Sequence, residues 1–483
     1  MAPPRMALSL AAALLAAEAR GLPRLVVDTE RVVAPVRREV FGGNLEYITA
    51  PSPEARRLTE ALPLLRFPGG DADADFLWDR ETPSPCGRRG TDWPLAAELA
   101  ARGGAALFLE SNLPRGTPRG FAAWVADARS RGLRVPWVQV GNEVWGSWDR
   151  GFRSPAQYAR DVRAHALALR ALGPMPAFAL PVGTAEEEPW NREALRLTAD
   201  MVGALDYHFY PNHHERPRVR PEEVIAGAEA IAPLLARLRA MVREVAPARQ
   251  GAIGVLIGEW DGAADPPPRS QAAALPAGVP YAQWSMANAL FYGAALGEFL
   301  LGGVLGATFY EVQGYRFGAL PGDRCMPSDG RVLRPKVLAL ELWLNHTGQH
   351  MVSTNMVDVP SYMVDGPTDW DGYAGPVPYV RAYASVSEDR QGLYLMVVQR
   401  GPRSVAPALE VELRGFDPEP VAREWAVAGA SPWDTNENVG GPPEAVRVQE
   451  GEVRVPGRRF LYGLRPWSVT ALELRRARPR RAP

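Results

Sequence analysis

The chain has 483 residues, with 54 basic and 55 acidic side chains and a formal net charge of −1. This length exceeds one ordinary domain and fits a barrel of about 250–300 residues plus a smaller module. The balanced charge lacks the basic footprint that nucleic acid or an anionic membrane requires, so we expect neither as a partner. Lys336 is the only lysine, which excludes a P-loop and leaves little material for Schiff-base chemistry.

The N-terminus has the pattern of an export signal. Arg5 supplies a basic start, Met6–Ala17 is apolar, and Ala17-Glu18-Ala19 places small residues at the cleavage positions. The apolar run is too short to span a bilayer. We therefore expect residues 1–19 to be a signal peptide and the protein to be secreted or periplasmic, the alternative being a buried N-terminal helix.

Residues 20–37 contain one short strand, Leu25–Val27, which precedes the main pattern and needs a neighbour, so we expect it to pair with the C-terminal module. Between residues 38 and 346, short apolar runs then alternate with helical segments. The helices include the segment from Pro155 to Leu172, capped by Ser154, and the segments Pro221–Val245 and Tyr281–Leu301. The eight runs are Val40–Tyr47, Pro63–Phe67, Ala105–Glu110, Val135–Asn142, Pro176–Val182, Leu205–Tyr210, Ile253–Trp260 and Val304–Val312.

An eightfold strand and helix alternation without a Gly-x-Gly-x-x-Gly turn predicts an α/β fold, a closed (β/α)8 TIM barrel over residues 38–346. After the helix at Lys336–Leu344 the pattern changes to strands separated by turns rich in Gly, Pro and Asp. This predicts a C-terminal antiparallel β-sandwich over residues 347–475, followed by a disordered basic tail at 476–483. The strand-like runs are Tyr379–Val386, Gly392–Gln399, Ala408–Leu413, Ala422–Val427 and Val469–Leu474.

Two of the predicted barrel strands end in a glutamate close to a tryptophan. Glu143 ends the fourth strand within Val138–Trp148, and Glu259 ends the seventh within Val255–Asp261. In such a barrel the carboxyl ends of the strands form the cleft, so both carboxylates are expected at one mouth. A pair of carboxylates in a cleft is the arrangement that hydrolyses glycosidic bonds.

Other strand ends carry polar or aromatic residues that would line the same mouth. Arg66 is either a structural ion-pair partner or a substrate ligand, and Glu46 is either a surface residue or a contact to a sugar hydroxyl. Trp145, Trp148 and Trp260 are either sugar platforms or core residues. The remaining candidates at these strand ends are Asn44, Asn142, His208, Tyr210, Glu311 and Gln313.

The sequence offers little for a metal or cofactor. There is no His-Glu-x-x-His motif, and Cys86 and Cys325 are the only cysteines. Two cysteines cannot form a cysteine metal site, although they leave one disulfide open in an oxidising compartment. We therefore expect no metal and no cofactor.

Six segments occur in the order found in a known family. They are Phe41–Glu46, Leu65–Gly70, Gly141–Gly146, Tyr207–Tyr210, Gly258–Trp260 and, in the last module, Pro466–Thr470. The chain thereby resembles clan A retaining glycoside hydrolases, and most of all the α-L-arabinofuranosidases of glycoside hydrolase family 51. The sequence departs from that family at Tyr47, where a histidine is usual, and at Gly258, where an aspartate is usual.

The resemblance implies a role for each candidate residue. Glu259 would be the nucleophile and Glu143 the acid/base, with the pKa of Glu143 raised by burial and by the charge of Glu259. Asn142 would bond the sugar 2-hydroxyl, Tyr210 would bond the nucleophile, and His208 would hold that region. The expected substrate is a plant-type oligosaccharide or polysaccharide.

Several other functions stay open at this point. Another clan A activity is one alternative, such as a β-xylosidase, an endoglucanase or a β-glucuronidase, since loops rather than motifs select the sugar. A non-catalytic carbohydrate-binding protein on the same fold is a second, which the presence of both glutamates disfavours. A metal-dependent hydrolase is a third, which the absence of a ligand cluster in the sequence disfavours.

Overall fold

The computed structural model describes residues 21–46, 51–70, 75–79, 93–212, 219–264, 282–314, 318–320, 332–365, 371–437 and 445–478. Five of the sequence predictions lie wholly or partly outside these residues. They are the signal peptide at residues 1–19, Tyr47, the cysteine pair, the first residue of the helix predicted over Tyr281–Leu301, and the tail beyond residue 478.

Eight parallel strands close into a barrel, as predicted. One strand, β1 (Arg24–Pro35), precedes the barrel, and the first barrel strand pairs with the last. Every expected run overlaps one of these strands, so the predicted TIM barrel is confirmed. In chain order the barrel strands are β2 (Gly42–Asn44), β3 (Leu64–Phe67), β4 (Ala106–Ser111), β5 (Arg134–Val140), β6 (Ala177–Val182), β7 (Val202–Phe209), β8 (Gly254–Trp260) and β9 (Gly306–Phe309).

Helices connect these strands on the outside of the barrel. At the N-terminus of the helix Pro155–Arg170 the Ser154 hydroxyl accepts from the Gln157 backbone N–H, and the Gln157 side chain accepts from the Ser154 backbone N–H, which is a capping box with Pro155 in the first turn. Among the described helices none is long and apolar enough to cross a membrane. They are α1 (Pro53–Ala61), α2 (Trp93–Gly103), α3 (Pro118–Ser130), α4 (Pro155–Arg170), α5 (Glu188–Thr198), α6 (Pro221–Ala226), α7 (Ile231–Val245), α8 (Met286–Leu301) and α9 (Pro335–Asn345).

The helix predicted as one piece from Pro221 to Val245 is broken, which corrects that expectation. α6 ends at Ala226, a 3-10 turn spans Gly227–Ala230, and α7 starts at Ile231. Pro233 explains the break, because it lacks the N–H that a continuous helix would direct to the carbonyl of Glu229, and its ring would clash with that carbonyl. In the first turn of α7 the proline is tolerated.

Side chains alternate between the barrel interior and the surrounding helices. On β3, Leu64 belongs to the inner core, whereas Leu65 and Phe67 belong to the outer core against the helices. Period-two alternation of this kind sends Arg66 inward. Arg66 can therefore face the barrel interior while its neighbours Leu65 and Phe67 pack against the helices.

The C-terminal module contains a nine-stranded, mostly antiparallel sheet that is separate from the barrel. The predicted C-terminal β-sandwich is thereby confirmed. Its strands after the barrel are β10 (His350–Val357), β11 (Ser361–Val364), β12 (Gly375–Pro378), β13 (Val380–Val386), β14 (Gly392–Gln399), β15 (Ala408–Arg414), β16 (Val421–Ala428), β17 (Val448–Arg454), β18 (Arg459–Gly463) and β19 (Ser468–Arg475), with β11 and β12 forming a separate hairpin. The order in the sheet is β17-β16-β19-β14-β13-β10-β1-β15-β18. β1 pairs antiparallel with β10 and, as an exception to the all-antiparallel expectation, parallel with β15.

This sheet has two differently packed faces. On β14, Leu393, Leu395 and Val397 point into the module's own core. Met396 and Val398 point the other way and join the outer core of the barrel, which contains residues of α8 and α9. The sheet thereby supports the helices that follow β8 and β9.

Candidate active site

Glu143 and Glu259 meet at the barrel mouth. One carboxylate oxygen of each, together with one ring nitrogen of His208, lie within 4.8 Å of one another. Glu143 stands just beyond β5 with a φ of 32°, in the left-handed region that non-glycine side chains rarely adopt. Backbone strain of this kind concentrates at functional sites, because surrounding structure must hold it in place.

A β-bulge directs Glu259 into the barrel. Strict alternation from the inward Leu256 would send Gly258 inward and Glu259 outward. The pairing with β7 instead skips one residue, running from Tyr207↔Ile257 to His208↔Glu259. The extra residue, Gly258, restores the inward orientation of Glu259, which is the re-aiming effect that bulges provide.

Gly258 also makes room for a carboxylate. A Cβ atom at this position would overlap both carboxylate oxygens of Asp206 on β7. The departure from the family pattern at Gly258 therefore has a steric reason. The neighbouring strand places its own acid, Asp206, in the space that a side chain at Gly258 would need.

Arg66 organises the floor of the site. Its guanidinium is fully buried, and Nη1 donates to Glu259 Oε1 at 2.7 Å and to Asn44 Oδ1 at 3.0 Å. Nη2 donates to Asn142 Oδ1 at 2.8 Å and to Glu110 Oε1 at 3.0 Å. Of the two interpretations, the structure supports the ion-pair partner, because protein groups surround this side chain. It joins four barrel strands and the loop after β5 in one network.

Each carboxylate oxygen of Glu259 has its own partner. Oε1 accepts from Arg66, and Oε2 accepts from the Tyr210 hydroxyl at 2.9 Å. Burial and the charge of Glu259 raise the pKa of Tyr210 well above its ordinary value, so this hydroxyl keeps its proton. The plane of the Glu259 carboxylate is therefore fixed from two directions.

His208 connects the two glutamates. Its Nδ1 lies 2.9 Å from Glu143 Oε1 and 3.6 Å from Glu259 Oε2, and its Nε2 lies 3.7 Å from Asp206 Oδ2. Burial opposes a charge on the imidazole, but the carboxylates around it, led by Glu259, outweigh burial and raise the pKa of His208 to about 10. His208 is therefore an imidazolium at neutral pH.

The charge on His208 corrects one expectation about Glu143. Burial raises the pKa of Glu143, as expected, but the hydrogen bond and charge of His208 outweigh burial and hold that pKa below its ordinary value. In the unliganded site the proton needed for acid catalysis therefore resides on His208, in hydrogen-bond contact with Glu143. The two groups titrate as a pair that shares one proton.

Two buried acids complete the network, and neither was among the sequence candidates. Glu110 is fully buried at the end of β4, and burial, partly offset by Arg66, raises its pKa to about 8. Asp206 is fully buried beneath His208. Both had a signal in the sequence: Glu110 ends a predicted strand, and Asp206 precedes His208 by two residues and so shares its face of β7.

The remaining candidates are placed as follows. Asn142 is buried, with its Oδ1 bound by Arg66. Glu46 is buried and accepts a hydrogen bond from the Tyr310 hydroxyl. Trp145 is 8% exposed, with its ring edge-on to His208 at 5.8 Å between centroids. Gln313 lies beyond β9, where it forms a backbone bridge with Leu320.

The structure overturns Trp260 as a substrate contact. Its indole is fully buried in the outer core, 4.2 Å from Tyr292 between ring centroids and also against Phe291 and Phe299. The cause is alternation, because Glu259 faces inward after the bulge and its successor must face the helices. Trp260 is a core residue.

The cluster of Glu143, His208 and Glu259 has spacing that could suit a metal ion. A metal there would have to displace the proton from His208, because only a neutral imidazole offers a lone pair. Both oxygens of Glu259 are also engaged by Arg66 and Tyr210. These contacts describe a site arranged for proton transfer between His208 and Glu143.

Comparison with known proteins supports the resemblance noted in the sequence. No family model matches the chain. It is 27% identical over 189 residues to an intracellular exo-α-(1→5)-L-arabinofuranosidase of Bifidobacterium longum, a match that spans 36% of this chain and 32% of that protein.

Solved structures share the fold over most of the chain. The α-L-arabinofuranosidase of Thermotoga maritima, solved with arabinose, has a TM-score of 0.76 at 20% identity and is matched over 94% of this chain and 100% of its own. The family 51 α-L-arabinofuranosidase of Thermotoga petrophila has a TM-score of 0.78 at 19% identity, over 93% of this chain and 99% of its own. The barrel and sandwich architecture is thus the one found in family 51 of the clan A glycoside hydrolases.

Proposed function

We propose that the protein is a retaining glycoside hydrolase of the α-L-arabinofuranosidase type. The observation that carries this proposal is the separation of the two glutamates, with one oxygen of each within 4.8 Å. Retaining enzymes hold their carboxyl groups about 5–5.5 Å apart, whereas inverting enzymes keep about 6.5–9.5 Å to admit a water. The short separation supports direct attack by a carboxylate.

In the first step Glu259 attacks the anomeric carbon as the glycosidic bond breaks. Arg66 and Tyr210 orient its carboxylate so that attack needs little reorganisation. The departing oxygen takes a proton from Glu143, which draws it from His208 at 2.9 Å. The step leaves a glycosyl ester on Glu259 and a neutral imidazole beside an ionised Glu143.

In the second step the same groups work in reverse. Glu143 removes a proton from water, the resulting oxygen attacks the anomeric carbon, and the ester bond to Glu259 breaks. The proton returns to His208 through Glu143, and Glu259 regains its negative charge next to Arg66. The site ends with the protons and charges with which it began.

The arabinofuranosidase type is favoured over the other clan A activities by the comparisons, which place such enzymes among both the sequence relative and the matched structures. We accordingly propose a plant-type oligosaccharide or polysaccharide as substrate. The basic start, the apolar run and the small residues Ala17 and Ala19 separately support the proposal of an exported protein. A β-xylosidase, endoglucanase or β-glucuronidase activity is the alternative that the substrate panel below distinguishes.

The test is hydrolysis of 4-nitrophenyl glycosides by the unsubstituted chain and by Glu259→Gln, which keeps the side-chain shape but cannot attack. We expect the α-L-arabinofuranoside to be hydrolysed fastest, and Glu259→Gln to lower kcat by at least about 10⁴-fold. Glu98→Gln, at an exposed glutamate on α2, is the matched control and should leave the rate unchanged.

Three results would count against the proposal. Faster turnover of the β-xyloside, β-cellobioside or β-glucuronide would replace the arabinofuranosidase assignment with a β-xylosidase, endoglucanase or β-glucuronidase activity. Full activity of Glu259→Gln would contradict the nucleophile. No turnover of any glycoside would refute hydrolysis and favour a carbohydrate-binding protein on this fold.

A further inference from the structure

A buried lysine holds the chain just after the nucleophile. Lys336, the only lysine in the sequence, is buried in the first turn of α9. Its Nζ donates to Asp261 Oδ2 at 2.5 Å, and Asp261 is fully buried two residues after Glu259. A second helix reaches the same carboxylate, because Asn288 Nδ2, in the first turn of α8, donates to Asp261 Oδ1 at 2.7 Å.

The pairing of β8 with its neighbours is irregular just before Asp261. The bulge at Gly258 interrupts the ladder with β7, and the pairing with β9 skips from Ile257 to Trp260. A bulge bends the strand that carries it, so the residues after the bulge affect where Glu259 points. A fixed side chain at Asp261, the residue that follows the strand, limits how far this backbone can turn.

The sandwich module holds the starts of both helices that contact Asp261. At the start of α8, Met286 N donates to Asp434 O at 2.7 Å. Arg334, which immediately precedes α9, is fully buried and donates to Glu437 Oε1 at 2.7 Å. Asp434 and Glu437 lie in the segment that follows β16 of the sandwich. The donors to Asp261 therefore stand on helix ends that this segment fixes.

Stability alone is a poor explanation for this buried ion pair. Burial raises the pKa of Asp261 and lowers the pKa of Lys336, in each case against the attraction of the partner. An ion pair removed from water in this way adds little net stability, and uncharged residues of similar size often replace such a pair without loss. Uncharged residues do not, however, reproduce the directional link from α9 to the end of β8.

We propose that Asp261, held by Lys336 and Asn288, is a positioning residue for the nucleophile. It fixes the backbone that aims Glu259 at the anomeric carbon, so its loss slows attack without weakening the binding of the sugar. Through the helix ends that hold Asp261, the sandwich module supports the geometry of the site. This inference rests on the proposed function and deepens it by assigning what keeps the nucleophile in place.

The test compares stability with turnover in a single and a double variant. Lys336→Met leaves the carboxylate of Asp261 buried without its cation, whereas the double variant with Asp261→Asn and Lys336→Met removes both charges at similar side-chain size. The substrate is the aryl glycoside that the unsubstituted chain hydrolyses fastest. Competent sites are counted by the aryl group released in a complete reaction with the corresponding 2-deoxy-2-fluoro glycoside, so that kcat is expressed per competent site.

The two variants should separate positioning from stability. Lys336→Met should lower both the urea midpoint and kcat, because it leaves an unpaired buried charge. The double variant should recover the urea midpoint, yet its kcat per competent site should stay at least about tenfold below that of the unsubstituted chain, with KM within about twofold.

A second ion pair of α9 provides the matched control. Glu341 pairs with Arg57 of α1 at 2.7 Å and has no part in holding Asp261. Glu341→Gln therefore breaks an ion pair of the same helix, and should leave both kcat per competent site and KM unchanged.

Recovery of kcat together with the urea midpoint in the double variant would overturn the inference, because the pair would then serve stability alone. So would a loss carried by KM instead of kcat, or an equal fall of kcat in Glu341→Gln. The double variant decides the question even where Lys336→Met does not fold. Failure of the proposed function has a different signature, because the unsubstituted chain would then hydrolyse no glycoside at all.

Discussion

Replacing Glu110 with glutamine tests how many protons the buried site holds. The network contains four carboxyl groups and only two cations, namely Glu110, Glu143, Asp206 and Glu259 against Arg66 and His208. Four negative charges cannot be buried beside two positive charges at low cost. Burial raises the pKa of Glu110 to about 8, so Glu110 is the carboxyl group of the four that we expect to be neutral at pH 7.

The magnitude follows from linkage. The pKa of Glu110 is about 8 in the folded protein against an ordinary 4.5. A carboxyl whose pKa rises on folding stabilises the protein at low pH, and this contribution is lost as the pH rises from the unfolded value toward the folded one. Between pH 5 and pH 7 the loss is about 2.5 kcal/mol, since each pH unit contributes about 1.4 kcal/mol where only the unfolded chain has released the proton.

Glutamine has the shape of the protonated acid and no proton to release. The free energy of unfolding of Glu110→Gln, relative to the unsubstituted chain, should therefore rise by about 2.5 kcal/mol from pH 5 to pH 7. Urea unfolding followed by tryptophan fluorescence at both pH values measures this difference, with Glu98→Gln as the exposed control. A difference that is the same at both pH values would mean that Glu110 is ionised in the folded protein, and would refute this charge assignment.

Three more predictions follow from the contacts of the site. His208→Asn removes the group that keeps a proton next to Glu143, so the alkaline limb of the kcat/KM pH profile should move to lower pH by more than about one unit; an unmoved limb would contradict the shared proton. Gly258→Ala should lower the free energy of unfolding by about 1–3 kcal/mol and kcat by at least about 100-fold, because its Cβ overlaps Asp206 and disturbs the bulge that aims Glu259; near-normal kinetics and urea stability would contradict the steric account. N-terminal sequencing of exported protein should begin near residue 20, and a start at Met1 would rule out the leader.

The barrel could be predicted because each strand carries its own signal. The inner and outer faces of a barrel strand are both buried, so strands such as Ala106–Ser111 and Gly254–Trp260 begin with continuous apolar residues before their polar ends. Turn residues and capped helices separate them. Strands, turns and helix caps of this kind can be predicted from neighbouring residues alone, without knowing which distant residues come into contact.

The sandwich was only partly predictable because several of its strands are half exposed. β17, Val448–Arg454, alternates partly buried with exposed residues and includes Gly451, so its pattern is weak. The parallel pairing of β1 with β15 joins residues near opposite ends of the chain. The apolar run Leu25–Val27 predicts a partner in this module, as found, but it specifies neither which strands are the partners nor the direction of each pairing.

The site shows the same division between local and distant information. That Glu143 and Glu259 approach each other follows from their places at strand ends. The orientation of Glu259 does not, since it depends on the bulge at Gly258, which only the pairing with β7 reveals. For the same reason Trp260 could not be distinguished from a sugar platform.

The pKa of Glu143 was mispredicted because it depends on a third group. Sequence reasoning included only burial and the charge of Glu259, each of which was expected to raise it. The imidazolium of His208 at 2.9 Å reverses the sign. Its charge in turn depends on Asp206, a residue whose approach to His208 requires the space at Gly258.

The most direct test of the central claim is azide rescue of Glu259→Ala and Glu143→Ala, with the anomeric configuration of the glycosyl azide read by NMR. If Glu259 is the nucleophile, its alanine variant should be inactive and azide should restore an inverted product. If Glu143 is the acid/base, its alanine variant should still form the glycosyl-enzyme from an activated aryl glycoside, and azide should yield a retained product. The opposite configurations would exchange the two roles, and full activity of either variant without azide would contradict the two-glutamate mechanism.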